Sequence, residues 1–87
     1  ELTSLAIHDL NILKDDNIID IVSFCPNITS LDLTLCKEIT DKSILEAAKK
    51  LKNIKCLLLG GLEKLTPSCL LEIARYHFQT LQILDIR

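Results

Sequence analysis

The chain has no tryptophan, no methionine, one tyrosine and two phenylalanines, so whatever core it builds must come from leucine, isoleucine and valine. Two prolines and two glycines exclude collagen-like and low-complexity linker composition and leave few places for tight left-handed turns. A surplus of either charge is also missing: ten Lys and Arg stand against twelve Asp and Glu, a formal charge of -2, and the basic residues form no stripe that would track phosphates. Direct nucleic-acid binding is not expected. No apolar run approaches the roughly 18 to 20 residues that span a bilayer, and the N-terminus carries no basic segment leading into an apolar one, so the sequence predicts neither membrane span nor signal peptide. Its 87 residues allow one small domain or part of a larger one.

Four cysteines, Cys25, Cys36, Cys56 and Cys69, contain no Cys-x-x-Cys pair. Two disulfides or one four-ligand zinc site are open in principle. Each cysteine, however, stands where the repeat described below takes a small apolar residue, and free, mostly buried thiols are expected, which points to the cytoplasm or nucleus. The triplet Asn27-Ile28-Thr29 matches a glycosylation signal and points the other way, towards secretion, although Ile28 is required inside the core.

What is abundant is a period. Leu2, Leu5 and Ile7 recur as Ile28, Leu31 and Leu33, as Ile54, Leu57 and Leu59, and as Leu81, Leu84 and Ile86, at spacings of 26 or 27 residues. The second half of each unit keeps step: Leu13, Ile39 and Leu65; Ile18, Ile44 and Leu70; Ile21, Ala47 and Ile73. Inside a unit, Leu31-Asp32-Leu33 alternates as a half-buried strand does, and Ile44, Ala47, Ala48 and Leu51 then follow at helical separations. Thr40 before Asp41, and Thr66 before Pro67, supply N-cap hydroxyls at helix starts. Asp15 and Asp16 favour the positive end of the first helix, and Pro26 stops it.

The predicted fold is α/β, a solenoid with a curved parallel sheet inside and helices outside. Helices are about 10 Å wide and strands about 4.8 Å apart, so stacking one helix per strand makes the sheet the concave wall. The repeats are read as 1–27, 28–53, 54–80 and a partial 81–87, about three and a half in a single segment. Neither end carries a polar cap, so the segment is expected to be an uncapped part of a longer array, flanked by further repeats of its own chain or covered by partners.

Cys25-Pro26-Asn27-Ile28, with Leu31-Asp32-Leu33, Cys36 and Ile39-Thr40-Asp41, resembles the cysteine-containing class of leucine-rich repeats, which reads C-P-x-L-x-x-L-x-L-x-x-C-x-x-I-T-D. The resemblance extends over essentially the whole chain. It is specific in the second unit and looser elsewhere: Leu10 and Leu62 replace Cys36, Lys14 replaces Thr40, and Leu51 and His77 replace Cys25. It implies a non-catalytic protein-binding module, best known from F-box proteins, the substrate receptors of cullin-based ubiquitin ligases, in which an adaptor is engaged by regions outside this segment. The resemblance also implies that the cysteine at the Cys36 position caps its strand and helps satisfy the following turn. Related repeats occur in yeast cell-cycle regulators and nucleotide-excision-repair proteins, so a scaffold role is the alternative.

Register assigns to the concave wall Ser4, Ala6 and His8; Ser30, Asp32 and Thr34; Cys56, Leu58 and Gly60; and Ile83, Asp85 and Arg87. Leu58 and Ile83 would form an apolar anchor, with Asp32, Asp85, His8 and Arg87 as its polar surround. The plainer reading is that all are solvated strand residues. Lys42, Glu46, Lys49 and Lys50 are expected to form a solvated helical face, and His77 to favour the negative end of its helix. His8, Asp9 and Asp32 share no oriented nucleophile or water-excluding pocket, and Gly60-Gly61 lacks the Lys-Ser/Thr of a phosphate loop, so no enzyme, metal site or cofactor is predicted.

Overall fold

A computed structural model describes residues 2–7, 12–77 and 81–85, with the backbone alone at residue 77. Strands and helices alternate along the chain: β1 (Ser4–Ala6), α1 (Asp15–Phe24), β2 (Ser30–Asp32), α2 (Asp41–Lys50), β3 (Cys56–Leu58), α3 (Pro67–His77) and β4 (Ile83–Asp85). The four strands form one parallel sheet in sequence order. Leu5, Leu31, Leu57 and Leu84 stand directly beside one another across it, so the sequence period is the sheet register.

The strands begin one residue earlier than the periodicity suggests, at 4, 30, 56 and 83 rather than 5, 31, 57 and 84. The cause is visible in the ladder. Ile7, Leu33 and Leu59 still donate their N–H groups to Asp32, Leu58 and Asp85, but pairing then gives way to turns. In the second unit Cys36 N–H donates to the carbonyl of Leu33 and Ile39 N–H to that of Cys36; in the third, Leu62 and Leu65 repeat the pattern on Leu59 and Leu62. These consecutive turns satisfy the backbone of connections that bury Cys36, Ile39 and Leu62.

Alternation along each strand separates two faces. Leu31, Leu33, Leu57 and Leu59 are buried in one cluster with Ile18 and Val22 of α1, Ile44, Ala47 and Ala48 of α2, and Cys69 and Ile73 of α3. Burying a leucine or isoleucine of this kind stabilises by roughly 1.5 to 3 kcal/mol. Ala47 and Ala48, where α1 has Ile21 and Val22, leave room for α2 between its two neighbours. The terminal rows are not core in the way the period implies. Leu2 is 43% exposed and Leu84 40%, against 0% for Leu31, because no strand-helix unit lies beyond them among the described residues. Leu71 follows the same rule: at the equivalent of half-buried Leu45, it is 73% exposed.

Each helix start is built differently. Thr40 is the N-cap of α2, accepting from Lys42 N–H at 3.3 Å. Lys14 holds that place before α1 and offers no acceptor; its own N–H is instead taken by the side-chain oxygen of Asn17, 2.9 Å away. This is half of a capping box.

Candidate functional site

The face of the sheet turned away from the helices carries two rows of side chains. Ser4, Ser30, Cys56 and Ile83 align across β1 to β4, as do Ala6, Asp32, Leu58 and Asp85. Thr34 and Gly60 continue the face beyond the strands. His8 and Arg87, assigned to the same face by register, lie outside the described residues, as do Asp9, Leu10 and Ile86.

The side chains grade from small to bulky across the sheet. Ser4 and Ala6 are exposed; Ser30, Asp32, Thr34, Cys56, Leu58 and Asp85 are half-buried; Gly60 is buried; and Ile83 is 54% exposed. Leu58 and Ile83 lie diagonally on adjacent strands as the apolar part, Ile83 directly beside Cys56, and Asp32 and Asp85 flank Leu58 on its two neighbouring strands. Asp32 is held in place. Its Oδ1 accepts from Thr34 N–H at 3.0 Å and from the Thr34 hydroxyl at 2.6 Å, an Asx turn that fixes the carboxylate as it leaves β2.

The turn after β2 is strained in one residue. Leu35 has φ +64°, a left-handed conformation unusual for leucine, and its N–H donates to the carbonyl of Gly60 at 2.8 Å. In the next unit the same place is taken by Gly61 at φ +76°, where an added Cβ would lie 2.5 Å from Leu35 Cδ2. Gly61 is thus suited to its conformation, and the end of the exposed Leu35 side chain fills the space its Cβ would take.

Of the four residues with expected structural roles, Pro67 opens α3 and the other three take up defined contacts. Cys36 is fully buried and donates its thiol to the carbonyl of Ile7 on the preceding unit, at 2.8 Å. Leu62, its counterpart, is buried without a donor. Thr40 donates both its N–H (2.9 Å) and its hydroxyl to the carboxylate of Asp15. Thr66, ahead of Pro67 at the start of α3, does the same to Asp41. The sequence pattern places Asp15 at the positive end of its helix and Asp41 in the first turn after Thr40, and does not show that each holds the following unit. The recurrent 25-residue spacing from Asp15 to Thr40 and from Asp41 to Thr66 was the available signal.

These contacts set the titration of two groups. Partial burial pushes the Asp15 carboxyl up, but hydrogen bonds from Ser43 and Thr40 outweigh it and leave the group below its ordinary 3.8. The Cys69 thiol is pushed up to about 12, first by burial, then by the Asp41 carboxylate beside it and the hydrogen bond it gives that carboxylate. All four cysteines are free, Cys36 and Cys69 buried, Cys25 and Cys56 half-buried.

On the helical side, Lys42 pairs with Asp16 and Lys50 with Glu46, each at 3.8 Å, and Lys50 also donates to the Ser23 hydroxyl; Lys49 is exposed. Exposed pairs of this kind contribute little. Among the described residues no group of three or more His, Cys, Asp or Glu could hold a metal ion. No helix of the described residues is long and apolar enough to cross a membrane. No protein-family model matches the chain.

Proposed function

We propose that the chain is a segment of a leucine-rich-repeat solenoid, and that its open sheet face is a non-catalytic surface for binding another protein. The observation that carries this reading is the row Asp32, Leu58 and Asp85 beside Ile83: a half-exposed apolar pair with charged neighbours, on a sheet face that no helix covers among the described residues. An exposed face of this composition is where a partner's side chains can be buried. The solenoid reading is supported by four strands in one register at the sequence period, each connection running through a helix on one side. Wide helices on that side make the open face the concave one.

The resemblance of the second unit to cysteine-containing repeats supports a narrower reading, the substrate-recognition region of an F-box-type ubiquitin-ligase subunit working in the cytoplasm or nucleus. On that reading the ligase adaptor is held by other parts of the protein, and this face takes the substrate.

Affinity capture with the full-length protein tests both levels. Leu58→Asp with Ile83→Asp is expected to abolish capture of the partner while Lys42→Glu on the helical side leaves it intact. Capture that survives the first pair in a folded protein would instead make the segment a spacer. Adaptor and cullin subunits in the captured material are expected from the narrower reading; a different intracellular assembly would replace it with a scaffold role.

A further inference from the structure

The lysines of this chain keep off its open face. None of its eight lysines stands in the rows of the open face, which carry two carboxylates, Asp32 and Asp85. Lysines occupy the helical side and the turns instead: Lys42 and Lys50 in α2, Lys37 and Lys64 in the connections, paired to Glu63 and Glu38 of the neighbouring unit. Even with the one guanidinium that register adds, that of Arg87, the open face keeps an excess of negative charge.

The position of the two acids matters as much as their sign. They lie on either side of Leu58, two strand spacings or about 10 Å apart. Asp32 is oriented before any partner arrives, since both hydrogen bonds from Thr34 fall on Oδ1. A preoriented carboxylate saves ordering cost on binding. Phosphate-bearing ligands and acidic peptides meet repulsion here.

We infer that the open face takes a protein segment in which an aliphatic side chain is flanked by lysine or arginine, the aliphatic group seating on Leu58 and Ile83 and the cations on Asp32 and Asp85. This rests on the reading of that face as the binding surface. The apolar contact supplies most of the affinity, and the paired charges set which segments are accepted and how fast they arrive.

The test is a selection from a phage-displayed library of random 12-residue peptides against the folded chain, followed by mapping of the recovered peptides through backbone amide shifts. Enrichment of Lys or Arg next to Leu, Ile or Val is expected, with shifts on β2, β3 and β4. Asp32→Asn with Asp85→Asn should weaken these peptides about five- to tenfold at low salt, and added salt should weaken them in the unmodified protein. Asn at 32 keeps an oxygen for Thr34, so a thermal melt close to that of the unmodified chain separates lost charge from lost fold. Acidic peptides on this face, or basic ones indifferent to the double substitution, would overturn the charge preference alone. Peptides that map elsewhere, or a selection that recovers none, would remove the binding surface itself.

Discussion

The carboxylate of Asp41 receives both the backbone N–H and the hydroxyl of Thr66, tying the start of α2 to the start of α3. Asp15 holds Thr40 in the same way one unit earlier. The starts of α2 and α3 are therefore satisfied from the preceding unit, and the contacts run in one direction along the chain. A side chain between Asp and Thr completes each set: Ser43 on Asp15 and Cys69 on Asp41 occupy equivalent positions in successive helices. The series stops at Pro67, which stands where the third aspartate would be.

Removing these acceptors should cost stability in proportion to what is left buried. Asp15→Ala strands the Thr40 N–H and leaves the fully buried Ser43 hydroxyl only the Thr40 carbonyl, 3.4 Å away, and a loss of about 1 to 3 kcal/mol is expected. Asp41→Ala leaves a more exposed threonine, which water can reach, and should cost about 1 kcal/mol or less. Urea unfolding of the two variants checks the order. An equal loss would mean that solvent access at Thr66 does not matter.

Asp15 also predicts how stability responds to acid. Burial raises its carboxyl and hydrogen bonds from Ser43 and Thr40 lower it further than burial raises it, so the folded value lies below the unfolded 3.8. Its contribution is fully present above the unfolded value and is lost as pH falls through the folded one. Unfolding free energy should therefore drop on going from about pH 6 to about pH 3, and drop less in Asp15→Asn, whose side chain does not titrate. Parallel losses in the two proteins would assign the acid sensitivity to other carboxyls.

The period made the fold legible because the two inner units bury the same positions: Leu31 and Leu57 are recognisable from spacing alone, and both are core. Strand ends were harder to read, since Leu33 and Leu59 are as apolar as true strand residues yet donate one ladder bond and then turn. The open face was legible as alternation, Ser30, Asp32 and Thr34 taking turns with buried Leu31 and Leu33. The Asx turn that fixes Asp32 was not, because its partner is two residues away in a segment whose conformation the apolar pattern does not report. Nor did spacing reveal that Leu35 takes a left-handed conformation; local propensity disfavours it, and the fold imposes it.

The thiols should divide into two pairs. Cys36 and Cys69 are 0% and 1% exposed, and burial with the neighbouring Asp41 keeps the Cys69 thiol protonated far above neutral pH. A water-soluble aromatic disulfide reagent at about pH 8 is expected to react with Cys25 and Cys56 and to reach the other two only when the chain unfolds. Cys56→Ser should remove one of the fast reactions. A bulky maleimide on Cys56, which lies between Ser30 and Ile83 on the open face, should also block the capture tested above, while one on Cys25 should not.

Gly61 and Leu35 should be energetically coupled. Gly61→Ala places a methyl group in a left-handed conformation, at about 1 to 2 kcal/mol, and drives it against Leu35 Cδ2. Shortening Leu35 to alanine removes the obstructing atoms but not the backbone strain at 61. The double variant should therefore lose less stability than the two single variants combined, by about 0.5 kcal/mol or more. The expected sign follows from the 2.5 Å approach: a conformational penalty alone would be additive, whereas a collision is relieved by trimming either side. Additive losses in chemical denaturation would leave the positive φ as the whole reason for glycine at 61 and would show that Leu35 moves aside without cost.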